Sequence, residues 1–321
     1  MEIIKLKAAL MGLPYWPLGG TKLKEEFHKE LDSKTIAQSW ELSAHEFGES
    51  LVDSGPNLGM KLSDYIKKQG SQILGTNAKK YDRFPLLVKF LDNKKNLFLQ
   101  VHPDDEYAYP VEHEPGKMEM YYFFEADPNS YIYVGFNKDT NEEEFLNKLV
   151  EGEVLDLVNK VKVYPGAAIL VPAGTIHALG SGTFCIEIQQ NSNTTYNIWN
   201  FGEKPGHRGF QIKKALDVLN YDKLEDPFIK QGPVESYDGF TMRHIVTSKY
   251  FDVTRIDVLT VATLEAVEEG FLHLLCYDGK GEIIWDGGNI IYQKGDSIFI
   301  PAGHFTYKIK GTFKGLITKA E

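Results

Sequence analysis

Short runs that alternate apolar and polar residues, or are wholly apolar, dominate this chain and are punctuated by Gly and Pro; stretches with helical spacing are few. Met1–Leu13 reads as a first strand, and residues 1–60 as irregular strands and loops. Gln38–Ser43 alternates as a half-buried strand does, and Phe84–Leu91 and Leu97–Val101 are further strands. Helical spacing covers Leu62–Leu74, with Gly75 as its stop, and Ile212–Leu219. The strongest helix signal is Asn141–Val161. There Asn141 is placed to cap, three glutamates fill the first turn, and Phe145, Leu146, Leu149 and Val150 share a face. Strands resume at Ala168, and from Phe240 onward the chain is strand and turn. The pattern predicts a mainly β protein, two sandwich-like barrels with a small helical insertion.

One segment occurs twice. Gly166 leads through Ile169-Leu170-Val171 to Pro172-Ala173-Gly174, and Gly295 leads through Ile298-Phe299-Ile300 to Pro301-Ala302-Gly303, all at one offset. Three residues past the corner the first copy has His177, a potential metal ligand, where the second has Thr306. One barrel is expected to carry a site and the other to serve as scaffold.

At 321 residues, 42% hydrophobic and 12% aromatic, the chain can fill about two domain cores. No run approaches the roughly 18 to 20 apolar residues that span a bilayer, and Pro14 and Trp16 interrupt any signal-peptide pattern. A net charge of −10 argues against non-specific nucleic-acid binding. Cys185 and Cys276, far apart in apolar runs, read as buried thiols of a reducing cytoplasm. Without a CxxC pair, a metal site must use His and carboxylate.

Three segments hold such donors. Residues two apart on extended chain share a face, which pairs Gln100 with His102 and Lys117 with Glu119, while His177 follows the Pro-Ala-Gly corner. Two imidazoles, a carboxylate and an amide oxygen suit a borderline divalent ion such as Zn2+. Isolated His and Glu residues on strands are more often ordinary surface or hydrogen-bonded groups. His28, His45, His113, His207, His244, His273 and His304 are given no metal role.

These segments, with Leu18–Leu23, Ser39–His45, Phe84–Lys89, Gln100–Asp105, Gly116–Glu119, Pro172–His177 and Glu187–Tyr196, resemble the short bacterial form of type I mannose-6-phosphate isomerase, in family order over the first two-thirds of the chain. The resemblance implies the cupin fold, with a metal-binding cupin domain over residues 1–235 and a cupin-like β domain without a metal site over 236–321. It implies Zn2+ held by His102, Glu119 and His177, with Gln100 as a further ligand in some members. It also implies a sugar-phosphate substrate, with mannose 6-phosphate and fructose 6-phosphate interconverted.

Such an isomerisation moves a proton between adjacent carbons and needs a base and a cation for the phosphate. Lys117, beside the metal, is expected to have its pKa lowered by neighbouring positive charge and to act as base or donor. Lys89, ending a strand in the family motif, reads either as a substrate contact or as a strand-edge charge. Asp104 and Asp105 read either as partners that orient the His102 imidazole or as a solvated turn. The family's active-site Arg is replaced here by Asn197, and Arg208 is the candidate substitute. That change leaves open a diverged, non-catalytic or altered-specificity sugar-binding cupin. An iron-dependent cupin dioxygenase is a third, less favoured alternative.

Overall fold

The computed structural model describes residues 2–12, 18–201 and 209–321. Two antiparallel sheets build the part of the molecule that holds the predicted ligands. Six strands run in the order Ala167–Val171, Glu119–Ala126, Thr183–Gln190, Leu86–Asn93, Ile36–Leu42 and Ala9–Gly12. Five run in the order Val158–Lys162, Tyr131–Phe136, His177–Leu179, Leu99–Val101 and Tyr196–Trp199. Tyr121, Phe123, Ile132, Val134, Ile169 and Leu179 pack together between these sheets. The ten-stranded third sheet is built largely from residues 235–320.

The six-stranded sheet is buried on both faces. Leu86, Val88, Phe90, Met120, Tyr122, Ile186 and Ile188 pack in one cluster with Phe251, Leu275, Tyr277, Phe299 and Leu316 of the third sheet. The alternate residues, Leu91, Tyr121, Phe123 and Cys185, face the sandwich interior. Burial on both sides explains why Leu86–Asn93 and Thr183–Gln190 read as near-continuous apolar runs.

The predicted first strand is split. Ala9–Gly12 joins the six-stranded sheet, whereas Ile4–Lys7 pairs with Ser297–Ile300 in the third sheet. The strand read over Gln38–Ser43 spans Ile36–Leu42 and is buried on both faces rather than half-buried. Its polar residues survive burial by pairing: Glu41 accepts from Ser39 Oγ at 2.5 Å and lies 2.8 Å from Lys29 Nζ.

The helices are shorter than their periodicity suggests. Leu62–Gln69 stops at Gly70, φ 89°, and a 3-10 turn continues over Ser71–Leu74. Asn141 does cap, its side chain accepting from Glu144 N–H at 2.9 Å, but this helix spans only Glu142–Glu151. Gly152 ends it in the left-handed conformation, and Val158–Lys162 is a strand. Phe145 and Leu149 are buried, while Val150 is exposed. A helix over Asp105–Glu112, which the patterning misses, is capped by Asp104, whose carboxylate accepts from Tyr107 N–H at 2.9 Å. No helix among the described residues is long and apolar enough to cross a membrane.

Both copies of the repeated segment have the same build: a left-handed glycine (Gly166, φ 89°; Gly295, φ 92°), a strand, a corner and a second strand. His177 is buried in the first copy, and Thr306 lies exposed opposite Glu265 in the second.

Candidate metal centre

Backbone hydrogen bonds stitch the three donor segments together. Gln100 and His177 are register partners on neighbouring antiparallel strands. Gly174 N–H, in the corner before His177, donates to His102 O at 2.8 Å, and Lys117 N–H donates to Pro103 O at 2.9 Å. Gly116 makes the second approach possible, because a Cβ there would sit 2.3 Å from the Asp104 carbonyl carbon. Glu119 begins the next strand of the six-stranded sheet and faces the two imidazoles across the sandwich.

The result is a buried cluster of His102, Glu119 and His177 whose ligating atoms all lie within 4.8 Å of one another. His177 Nε2 is 2.9 Å from Glu119 Oε1, and His102 Nε2 is 3.5 Å from Glu119 Oε2. His102 Nδ1 lies 3.0 Å from Thr194 O, and His177 Nδ1 lies 2.9 Å from Thr175 O. Backbone carbonyls only accept, so each imidazole carries its proton on Nδ1 and turns an Nε2 lone pair toward the carboxylate. Converging acceptors of this kind suit a cation, and the Lys117 ammonium already lies against them, with Nζ 3.1 Å from His102 Nε2. Lys117 Nζ forms an ion pair with Glu119 Oε2 at 2.6 Å. The donor set fits a divalent metal. Gln100 Nε2 is 3.1 Å from His177 Nε2, and turning that amide over would present Oε1 to the same point.

Electrostatics keep these groups in ligating states. Burial pushes the His102 pKa down to about 3, with Lys117 adding to the effect, so the ring is neutral. Burial alone would raise the Glu119 pKa, but the Lys117 ammonium leads the opposing interactions and the carboxyl is held well below its usual range. Lys117 is buried beside both carboxylates. Burial lowers its pKa, yet Glu119 and Glu187 more than offset this, so its ammonium is held charged.

Beside the cluster lies a cavity of about 250 Å³, lined by Lys89, Gln100, Lys117, Tyr121, Glu187 and Asn197, among others. Lys89 Nζ contacts Glu187 Oε2 at 2.6 Å and donates to Gln189 Oε1 at 2.5 Å. Burial lowers the Lys89 pKa despite Glu187. Glu187 Oε1 also lies 3.6 Å from Lys117 Nζ, so one carboxylate spans both lysines. Sequence reasoning gave Glu187 no role. Its signal was the two-residue spacing to Gln189, which puts both side chains on the interior face of an otherwise apolar strand. Asn197 is the register partner of Gln100, so His177, Gln100 and Asn197 form one row across the five-stranded sheet. Arg208 lies outside the described residues, as does Trp16.

Neither aspartate after Pro103 touches the His102 ring. Asp104 caps its helix, and Asp105 Oδ1 accepts from Gly116 N–H and Gln190 Nε2, both at 2.9 Å. Tyr250, in the turn between Phe240–Thr247 and Phe251–Val258 of the third sheet, donates to Asp105 Oδ2 at 2.6 Å.

Known proteins resemble this chain along most of its length. The family described as phosphomannose isomerase type I, catalytic domain, matches residues 3–133, and the mannose-6-phosphate isomerase cupin domain matches 241–318. Mannose-6-phosphate isomerase ManA of Bacillus subtilis is 33% identical over 91% of this chain and 92% of its own. The mannose-6-phosphate isomerase of Streptococcus mutans is 32% identical over 88% of each. The crystal structure of the mannose 6-phosphate isomerase from Bacillus subtilis superposes with a TM-score of 0.90 at 30% identity, covering 99% of both chains. With the cupin architecture, the buried His-Glu-His cluster and these relatives together, the chain belongs to the type I mannose-6-phosphate isomerase family.

Proposed function

We propose that the protein is a zinc-dependent aldose–ketose isomerase that interconverts mannose 6-phosphate and fructose 6-phosphate in the cytoplasm. Its metal centre belongs to a unit of residues 1–235, beside a metal-free β unit of residues 236–321. The observation that carries the reading is the convergence of His102, Glu119 and His177 on one point beside a lysine-lined cavity, in a chain of this family. Two neutral imidazoles and a carboxylate, with Gln100 as a fourth donor, suit zinc among the borderline ions. When bound, the ion supplies Lewis acidity toward charge developing on the sugar oxygens.

The remaining residues divide the work. Lys117, held charged by two carboxylates, donates hydrogen bonds to substrate oxygen rather than acting as the base. Lys89, whose ammonium burial disfavours, and Glu187 together carry the proton between adjacent carbons. Asn197, on the cavity wall, contacts substrate as a neutral amide, and Arg208 supplies positive charge toward the phosphate.

A coupled assay of zinc-loaded protein on a panel of phosphorylated and free aldoses tests the proposal. Turnover of mannose 6-phosphate above the other sugars is the expected result. Turnover confined to another aldose overturns the substrate assignment, and no turnover of any sugar overturns the enzyme reading.

A further inference from the structure

Glu114 lies outside the metal cluster, on the loop after the Asp105–Glu112 helix, and its carboxylate is ringed by donors. His45 Nε2 is 3.1 Å from Oε1. Oε2 accepts from Asn193 N–H and Thr194 Oγ1, both at 3.2 Å, and from Ser192 Oγ at 3.4 Å. Buried His45 accepts from Phe47 N–H through Nδ1 at 3.2 Å, which places its own proton on Nε2, aimed at Glu114. This single carboxylate therefore grips the outer side of the turn Ser192–Thr194. On the inner side the same turn meets the metal centre. Gln189 Nε2 donates to Ser192 O at 2.6 Å, and the Nδ1–H of His102 donates to Thr194 O at 3.0 Å.

We propose that Glu114 is a positioning residue of the metal centre. By anchoring the Ser192–Thr194 turn it fixes the carbonyl that holds His102 in the tautomer whose Nε2 lone pair faces Glu119. Glu114 itself touches neither the ligating atoms nor the substrate cavity. The inference rests on the reading of His102 as a metal ligand. Loss of an outer partner of a ligating histidine weakens metal binding by ~10–100-fold.

The test uses full-length Glu114→Gln, which keeps the side-chain volume and removes the charge. Zinc affinity is measured by chelator competition, and the His102 tautomer is read from imidazole nitrogen shifts in the metal-free protein. The expected results are a zinc dissociation constant raised at least about tenfold and appearance of the Nε2–H form of His102. Zinc affinity within twofold of wild type, with the Nδ1–H form intact, overturns the proposal. Should Glu114→Gln fail to fold, Thr194→Val removes one anchor of the turn and keeps the carbonyl; a smaller shift in the same direction is expected, and no shift overturns the proposal. His102→Ala separates this inference from the ligand reading beneath it. Wild-type zinc affinity in that variant removes His102 from the site altogether. Lost affinity there with unchanged Glu114→Gln removes only the role of Glu114.

Discussion

Lys117 keeps its charge where burial alone would strip it, because Glu119 and Glu187 stand on either side. A buried ammonium already neutralised by its neighbours adds little net field but offers directed N–H donors to whatever fills the cavity. Lys117→Met should therefore retain zinc while kcat falls at least about a hundredfold, a loss in the range of one transition-state donor; metal content and steady-state kinetics on the same sample check it. Activity near wild type would place Lys117 in a structural role. At this scale the sequence was informative where a residue type carries its own chemistry. His102, Glu119 and His177 stand out because each sits in a segment distinctive enough to read. Glu187 was hidden, because its strand is buried on both faces and a lone acid in an apolar run looks like an exception. What gives it meaning is Lys89 directly across the sheet, and register between strands far apart in sequence is not written in either strand.

Elements were legible in kind and imprecise at their ends. Hydrophobic periodicity cannot distinguish a helix that continues from one that stops and hands the same apolar face to a turn and a strand. After Gly152, Val154, Leu157 and Val158 are buried in the same cluster as Phe145 and Leu149, which is why the pattern ran on to Val161. The Asp105–Glu112 helix escaped because Pro110 lies inside it and its opening aspartates resemble a polar turn. Capping was the reliable local signal. Asn141 satisfies one of the orphan N–H groups of its helix, so Asn141→Ala should destabilise the protein by about 1 kcal/mol and leave zinc affinity and kcat unchanged. Urea unfolding with parallel kinetics decides it, and an unaltered midpoint would remove the cap from the account.

Across the whole molecule, the seam between the sandwich and the third sheet carries a buried polar relay. His273 Nε2 donates to Ser297 Oγ at 2.8 Å, and that hydroxyl donates to Glu41 O at 2.9 Å in the six-stranded sheet. Burial pushes the His273 pKa down from 6.5 to about 3, so the folded protein holds the ring neutral. In the unfolded chain the same ring protonates near its ordinary value. Stability is therefore complete above about pH 6.5 and falls as pH drops toward 3, by up to about 1.4 kcal/mol per pH unit from this group. His273→Gln should flatten the slope of unfolding free energy against pH between 4 and 6 by about one proton. Urea melts of the zinc-loaded proteins across that range measure it, and parallel slopes would clear His273 of the effect. The doubly covered sheet has a further consequence for how this lineage can change. Along Leu86–Asn93, odd positions answer to chemistry and even positions to the neighbouring layer, so one inserted or deleted residue would trade Lys89 for Phe90 and wreck both surfaces at once. Substitution remains open at either set of positions separately, whereas length is frozen. Lineages of this architecture can diversify these central strands only letter by letter, and must confine growth and loss of chain to the connections between them.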